Sequence, residues 1–166
     1  MPTPDIAEQC SISRAAQILG DGWMILLLRE LFWGATRYDE FATHTGMASN
    51  VLAVRLKRLV EAAVITKTPA VSDGRRFDYA LTPSGLELFP VLMSVMAWGD
   101  KHVPGESGPL VLLRHTSCGQ HTKAGLVCSV CAQTLRPTDI ETEFNPHYEE
   151  RYGPLQARTM PSAMKR

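Results

Sequence analysis

The sequence predicts a mainly helical α+β protein, and the segment from residue 38 to residue 82 carries this prediction. Two short stretches with helical apolar spacing are separated by a turn at Gly46. Two strand-like stretches follow, and they flank an Asp73-Gly74 pair of the kind that closes a hairpin. Helix, turn, helix and hairpin in this order predict a winged helix-turn-helix with a two-stranded wing, whose tip spans residues 72–76.

The second helix of the motif is predicted over residues 49–62, with Ser49 or Asn50 as its cap. Its apolar residues form one stripe, which leaves three basic side chains facing outward. A helix in the major groove beside a basic loop on the phosphate backbone is an arrangement that reads duplex DNA. The basic side chains expected at this surface are Arg55, Lys57, Arg58, Lys67, Arg75 and Arg76.

The formal net charge of the 166 residues is zero, so nucleic-acid binding would depend on a local patch. Between residues 49 and 76 the six basic residues outnumber Glu61 and Asp73, the two acidic ones. Phosphate contacts release counterions, and binding through this patch should therefore depend strongly on salt. Alternatively, these charged side chains could do no more than keep the helix surface solvated. The neighbouring hairpin favours the interpretation that they contact DNA.

A central helix is predicted over residues 23–32, and a long amphipathic helix over residues 83–102 with a kink or break at Pro90. At about 1.5 Å per residue the long helix would reach roughly 30 Å, a length typical of a dimerisation element. Packing onto its own core is the alternative. No apolar run is long enough to cross a bilayer, and no secretory signal begins the chain, so we expect a cytoplasmic protein at the bacterial nucleoid.

The composition divides the chain into five parts. We expect a flexible N-terminus at 1–9, a DNA-binding and dimerisation domain at 10–103, and a linker at 104–109. A Cys/His region at 110–145 would hold strands near 110–113 and 141–144, and an extended or disordered tail would follow at 146–166. No phosphate loop, nucleophile elbow or zinc-protease motif occurs, so we expect no enzyme.

Six segments, set in order along the chain, resemble the HxlR family of bacterial winged-helix regulators. They are CSISRAA at 10–16, LGDGW at 19–23, ILLLREL at 25–31, SNVL with RL between 49 and 56, YALTPSG at 79–85 and AWG at 97–99. The resemblance implies a homodimer, held by the first helix and the helix after the wing, on a pseudo-palindromic DNA operator. It further implies a recognition helix at 48–56, with groove-side residues Ala48, Ser49, Asn50, Ala53 and Val54. Val54 replaces an expected polar residue, so its contact with a base would be apolar.

The leading hypothesis is a dimeric, sequence-specific regulator of transcription, with repression as the favoured direction. A protein-interaction module on the same scaffold is the alternative. A small-molecule binder is the third hypothesis, with a pocket between the dimer helices. Its lining would be Trp23, Phe89, Met93, Met96 and Trp98, although such residues are more often plain core.

Two cysteine features are candidate control elements. Cys10 is at a position where several members of the family have a sensing cysteine. It is expected beside the N-terminus of a helix, with Arg14 one turn along. The helix N-terminus and the Arg14 charge would both stabilise a thiolate, which could react with electrophiles or oxidants. A small interface residue is the alternative.

The second feature has the spacing of metal ligands. His115, Cys118, Cys128 and Cys131 form two pairs spaced to hold one structural zinc ion, with His121 as an alternative to His115. The predicted extension is therefore a small, zinc-ribbon-like one. An oxidised Cys128–Cys131 pair, or a fold with free thiols, remains an alternative.

Overall fold

The computed structural model describes residues 10–71, 73–103, 105, 106 and 108–140. The chain forms two compact units, divided between Lys123 and Ala124. The predicted flexible segment 1–9, the strand at 141–144 and the tail at 146–166 lie outside the described residues, as do Ser72 of the wing tip and Pro104 and Ser107 of the linker.

The first unit contains six helices and two antiparallel pairs of strands among its described residues. The helices are α1 (Ser11–Leu19), α2 (Gly22–Phe32), α3 (Tyr38–Thr45), α4 (Ser49–Glu61), α5 (Pro83–Leu86) and α6 (Phe89–His102). The strands are β1 (Ile65–Ala70), β2 (Asp73–Leu81), β3 (Leu113–Arg114) and β4 (His121–Thr122). The winged helix-turn-helix predicted from the sequence is therefore present, in the predicted order.

Helix α2 supplies the centre of the core, as its nearly continuous apolar sequence predicts. Met24, Leu27, Leu28 and Leu31 are all buried, and they pack with the inward stripes of α3 and α4. The N-cap of this helix is Asp21, whose carboxylate accepts a hydrogen bond from the Trp23 N–H at 3.0 Å. This satisfies one of the unpaired N–H groups in the first turn.

The turn between α3 and α4 has the geometry that a helix-turn-helix requires. Gly46 ends α3 with φ +69°, a left-handed conformation that glycine adopts without a steric penalty. The Tyr38 hydroxyl donates to the Ser49 carbonyl at 2.7 Å and so ties the start of α3 to the start of α4. The predicted cap of α4 is wrong, because the N-cap is Ala48 and no side chain caps the helix.

The wing is an antiparallel hairpin whose base is fixed to the end of α4. Its register pairs Ile65 with Leu81 and Ala70 with Asp73, and a bulge occurs between Pro69 and Ala70. The predicted turn at Asp73-Gly74 and the predicted tip at 72–76 are wrong, because β2 begins at Asp73 and pairing with β1 continues up to that residue. Beyond the hairpin, the Thr82 hydroxyl donates to the Ala63 carbonyl at 2.7 Å and accepts from the Gly85 N–H at 3.1 Å. A Cβ on residue 85 would lie 2.1 Å from the Val64 carbonyl oxygen, so only glycine fits here.

The long helix predicted after the wing is broken into two. Helix α5 ends at Leu86, and α6 runs from Phe89 to His102, with Pro90 in its first turn. Proline is tolerated there because the first N–H groups of a helix have no intrahelical partner. The 14 residues of α6 extend about 21 Å, not the roughly 30 Å expected of one helix.

Beyond residue 108 the described chain has little regular structure. The strand predicted at 110–113 is wrong, because β3 comprises only Leu113 and Arg114. In the second unit, Val127 and Thr134 form an antiparallel bridge, and a 3-10 turn follows at Pro137–Asp139. None of the helices in the described part of the chain has both the length and the apolar character needed to cross a membrane.

Candidate nucleic-acid interface

One face of α4 is exposed along its whole length. Ser49, Asn50, Ala53, Val54 and Lys57 all lie on this face, at positions i, i+1, i+4, i+5 and i+8. The opposite stripe of Leu52, Leu56 and Leu59 is buried. The structure therefore brings together four of the residues expected in the DNA groove and one of the expected basic residues.

A groove of about 680 Å³ lies between α4 and the wing. Five basic and two acidic side chains line it, so its formal charge is positive. The lining residues are Arg37, Tyr38, Asp39, Ala53, Leu56, Lys57, Val60, Glu61, Lys67, Arg75, Arg76, Phe77 and Tyr79. Ala53 and Lys57 belong both to this groove and to the exposed face of α4, which makes the two surfaces continuous.

Arg55 has a structural partner that its helical spacing does not predict. Its guanidinium lies 2.6 Å from the Asp21 carboxylate, and the side chain is only 22% exposed. It also donates to the Val51 carbonyl at 3.4 Å. The prediction that Arg55 faces outward is wrong, because the ion pair holds α4 against the start of α2.

Arg58 is exposed but is also used within the fold. Its guanidinium donates to the Gln17 carbonyl at 2.7 Å and so links α4 to α1. Of the six predicted basic residues, Lys57, Lys67, Arg75 and Arg76 line the groove, whereas Arg55 and Arg58 do not.

Arg37 also lines the groove, although no motif in the sequence predicts it there. It forms an antiparallel bridge with Asp78 of β2, and its Nε lies 3.6 Å from the Asp78 carboxylate. Beside it, the Tyr79 N–H donates to the Thr36 carbonyl at 2.8 Å. These contacts attach the wing to the segment before α3, and no local sequence signal marks a pairing across about 40 residues.

The wing carries three positively charged side chains, Lys67 beside an aromatic ring and the exposed Arg75 and Arg76. The Lys67 ammonium lies over the Phe77 ring, 4.0 Å from its centroid, which favours one position for the charge. Arg75 and Arg76 are exposed on β2 near the wing tip. Burial raises the pKa of Tyr79, so its hydroxyl stays protonated at neutral pH beside these cations.

Glu40 stabilises the entry into α3. The backbone N–H groups of Thr36 and Arg37 donate to its Oε2 at 2.8 and 2.9 Å, and they lower the pKa of the carboxyl below its ordinary value of 4.5. A lowered pKa means that this stabilisation is complete above pH 4.5 and is lost as the pH falls through the lower, folded-state value.

We therefore expect Glu40→Gln to lower the free energy of unfolding by about 0.3–1 kcal/mol at neutral pH, because the glutamine amide oxygen can still accept the two hydrogen bonds but the negative charge near the helix N-terminus is lost. The difference from wild type should shrink as the pH falls below 4.5, because the carboxyl is protonated first in the unfolded chain and only at lower pH in the folded protein. Urea unfolding at a series of pH values measures it. Glu87→Gln, at an exposed position, is the control, and a pH-independent difference for Glu40→Gln would contradict the prediction.

The other predicted site residues stay predictions. Cys10 is exposed at the N-cap of α1, and the nearby Arg14 donates to Ser11 at 3.3 Å. In the proposed ligand pocket, Met93 is buried, whereas Trp23, Phe89 and Trp98 are exposed. None of the five pocket residues, Met96 included, lines the groove beside α4.

The predicted metal ligands form two close pairs. His115 Nδ1 lies 3.3 Å from Cys118 Sγ, while the alternative ligand, His121, lies in β4. Hydrogen bonds from the backbone N–H groups of Cys131 and Val130, and from the Cys131 thiol, lower the pKa of Cys128. No group of three or more candidate ligands is assembled among the described residues, so the zinc-ribbon-like extension is not established.

Comparisons with known proteins agree with this geometry. A family profile described as HxlR-like helix-turn-helix matches residues 18–107. Rv3095 of Mycobacterium tuberculosis, named as an uncharacterized HTH-type transcriptional regulator, is 34% identical over 139 residues, which are 84% of this chain and 88% of the relative.

Two solved structures are also similar to this chain over most of its length. PA1607, assigned as a transcription factor, superposes with a TM-score of 0.74 at 33% identity, over 82% of this chain and 95% of the other. PA1374 of Pseudomonas aeruginosa, with the same assignment, gives 0.60 at 29% identity, over 87% and 98%.

Proposed function

Because the chain belongs to the HxlR-like helix-turn-helix family of transcriptional regulators, we propose that it acts by binding duplex DNA as a homodimer. The observation that carries the proposal is the continuity between the exposed face of α4 and the cationic groove beside the wing. In a winged helix, these two surfaces meet the base edges and the phosphate backbone respectively.

The exposed face of α4 suits the major groove in size and chemistry. A helix with its side chains is about 10–12 Å wide, and the major groove is about 12 Å wide. The Asn50 amide can form two hydrogen bonds with an adenine, and the Val54 methyls can contact a thymine methyl. Both side chains are exposed near the start of α4, the part of a recognition helix that approaches the bases.

The cationic groove supplies the sequence-independent part of the proposed binding. Lys57, Lys67, Arg75 and Arg76 place positive charge on both walls, from the helix and from the wing. A phosphate backbone that follows the groove would be neutralised from two sides. Such contacts set the register of the protein on DNA but do not read sequence.

The homodimer is proposed from a stripe of apolar residues on α6. Val91, Val95 and Trp98 are exposed at spacings of four and three residues, on the side opposite the buried Leu92 and Met93. A second copy of the chain is the proposed occupant, because tryptophan is enriched at the energetic centres of protein interfaces and homodimer interfaces are more apolar than the rest of a protein surface. The pairing would place two recognition helices on one operator.

We expect Trp98→Asp to raise the dimer dissociation constant by at least about 30-fold, the effect of losing an interface centre. The Trp98 side chain is 61% exposed, so the substitution should leave the subunit folded. Trp33→Asp is the matched control, because Trp33 is also exposed and lies outside the stripe. Sedimentation equilibrium measures the constants. Equal constants for wild type and Trp98→Asp would contradict this interface.

Selection of genomic DNA fragments by the purified protein tests DNA binding directly. We expect enrichment of a pseudo-palindrome with half-sites about one helical turn apart, as a two-fold dimer requires. Loss of the regulator in the cell should then raise transcription of the adjoining genes, as expected of a repressor. Failure to enrich any sequence above a random-fragment control would contradict the proposal.

A further inference from the structure

Two arginines of α4 contact the turn between α1 and α2. Arg55 Nη2 lies 2.6 Å from a carboxylate oxygen of Asp21, the N-cap of α2. Arg58 Nη2 donates to the carbonyl of Gln17, in the last turn of α1, at 2.7 Å. The two contacts therefore attach α4 to both ends of this turn.

The Asp21–Arg55 pair is partly shielded from solvent. The Asp21 and Arg55 side chains are only 25% and 22% exposed, so water and salt screen their attraction less than that of a fully exposed pair. Asp21 uses its two oxygens separately, because the other one accepts a hydrogen bond from the Trp23 N–H at 3.0 Å. One carboxylate thus caps α2 and holds a cation of α4.

The arginines lie on the flank of α4 that is turned away from the wing. At about 100° per residue, Arg55 and Arg58 are nearly opposite Val60, which lines the groove beside the wing. The buried leucine stripe of α4 lies between these two flanks. Apolar packing is non-directional, whereas an ion pair and a hydrogen bond are directed. The arginine contacts therefore add a restraint on the rotation of α4 about its axis.

Such a rotation would affect base contacts much more than phosphate contacts. A rotation of about 20° moves a side-chain tip at about 5–6 Å from the helix axis by about 2 Å. A hydrogen bond from Asn50 to a base tolerates only about 0.5 Å of variation in distance. The attraction between a cation and a phosphate extends over a Debye length of about 8 Å. The orientation of α4 therefore governs discrimination between sequences more than general affinity for DNA.

We propose that Asp21 is a positioning residue for sequence recognition, which acts through Arg55 on the orientation of α4 and touches no DNA itself. The proposal rests on the proposed binding of DNA by α4. It assigns Arg55, which its position in the sequence suggests as a DNA contact, to specificity and not to phosphate neutralisation.

Asp21→Asn tests the pair while keeping the cap of α2, because asparagine caps a helix as well as aspartate does. The probes are the duplex enriched in the genomic selection and a random-sequence duplex of equal length. The ratio of the two affinities should fall at least about tenfold, the effect of losing one base contact. Affinity for the random duplex should not fall. Arg55→Gln should give the same loss of ratio, and the double variant no further loss, because both break one interaction.

Two further variants are the controls. Arg55→Lys keeps a positive charge that can reach Asp21, and the ratio should stay within about threefold of wild type. Glu87→Gln removes one negative charge at an exposed position, as Asp21→Asn does, and should leave the ratio unchanged.

A direct phosphate contact by Arg55 would give a different result. Arg55→Gln would then lower both affinities together and reduce the salt slope by about one for each lost contact. That outcome would overturn the proposal, and so would an unchanged ratio in Asp21→Asn.

Urea unfolding at one protein concentration tests the pair without DNA. Each single variant, Asp21→Asn or Arg55→Gln, should raise the unfolding constant at least about threefold, because it leaves a partly buried group without its partner. The double variant should raise it by less than the product of the two single effects. Independent effects would overturn the proposal. If the wild type enriched no DNA sequence, the proposed function would fail, and the unfolding constants would still decide whether the pair holds α4.

Discussion

Replacing Arg75 and Arg76 together by glutamate is expected to lower affinity for duplex DNA by at least about 100-fold at about 0.1 M salt. Both side chains are exposed on the wing and line the cationic groove. The substitution removes two proposed phosphate contacts from each subunit and puts like charge beside the backbone. Operator and unrelated duplex should lose affinity to a similar degree, because phosphate contacts carry no sequence information.

The plot of the logarithm of the binding constant against the logarithm of the salt concentration should also have a shallower slope. Four lost contacts in a dimer reduce the slope by about 3 to 4. The matched control is Lys123→Glu with Arg136→Glu, which changes the net charge equally at exposed positions outside the groove. An equal loss of affinity in the control would mean that total charge, and not the wing, governs binding.

The largest expected effect on stability is that of Phe41→Ala, which should lower the free energy of unfolding by about 3–5 kcal/mol. Phe41 is completely buried at 0% exposure, and its ring meets the Tyr79 ring edge to face at a centroid distance of 6.0 Å. The side chain therefore connects α3 to the wing. Its removal leaves a cavity where the helix-turn-helix and β2 meet.

Phe77→Ala provides the comparison, because Phe77 is in the same strand as Tyr79 but is 40% exposed. Phe77→Ala should lower the free energy of unfolding by about 1 kcal/mol or less. Urea unfolding of wild type and both variants at one protein concentration measures the difference, since the stability of a dimer depends on concentration. If Phe41→Ala lowered the free energy of unfolding by less than Phe77→Ala, the contact between Phe41 and Tyr79 would not be central to the core.

The regular elements of the winged helix could be predicted because their signals are local. The apolar stripe of α4, the glycine turn at Gly46 and the presence of a hairpin each follow from neighbouring residues. The position of the hairpin turn does not, because Asp73 and Gly74 lie in β2 and Asp73 pairs with Ala70. The break predicted near Pro90 in the post-wing helix is present, whereas the predicted length of roughly 30 Å is wrong. Proline is favoured in the first turn of a helix and disfavoured in its interior, and a second helix therefore begins at Phe89, with Pro90 in its first turn.

The candidate site could be predicted only in part, because the partners of long charged side chains are set by tertiary contacts. Arg55 is on α4 as expected, yet Asp21, distant in sequence, binds its guanidinium. Arg37 enters the groove because it pairs with Asp78 across the wing. Helical spacing places a residue on a face, but it does not tell which neighbouring helix or strand that face meets.

Photo-crosslinking from position 53 to operator DNA tests most directly that the exposed face of α4 enters the DNA groove. Ala53 is exposed and lies on both the helix face and the groove wall, so a benzophenone side chain there would face the bases. The same side chain at the exposed Ala16 of α1 is the control. We expect crosslinks from position 53 to bases within each half-site and far fewer from position 16. Crosslinks from position 16 and not from position 53, in protein that binds the operator with full affinity, would contradict this docking.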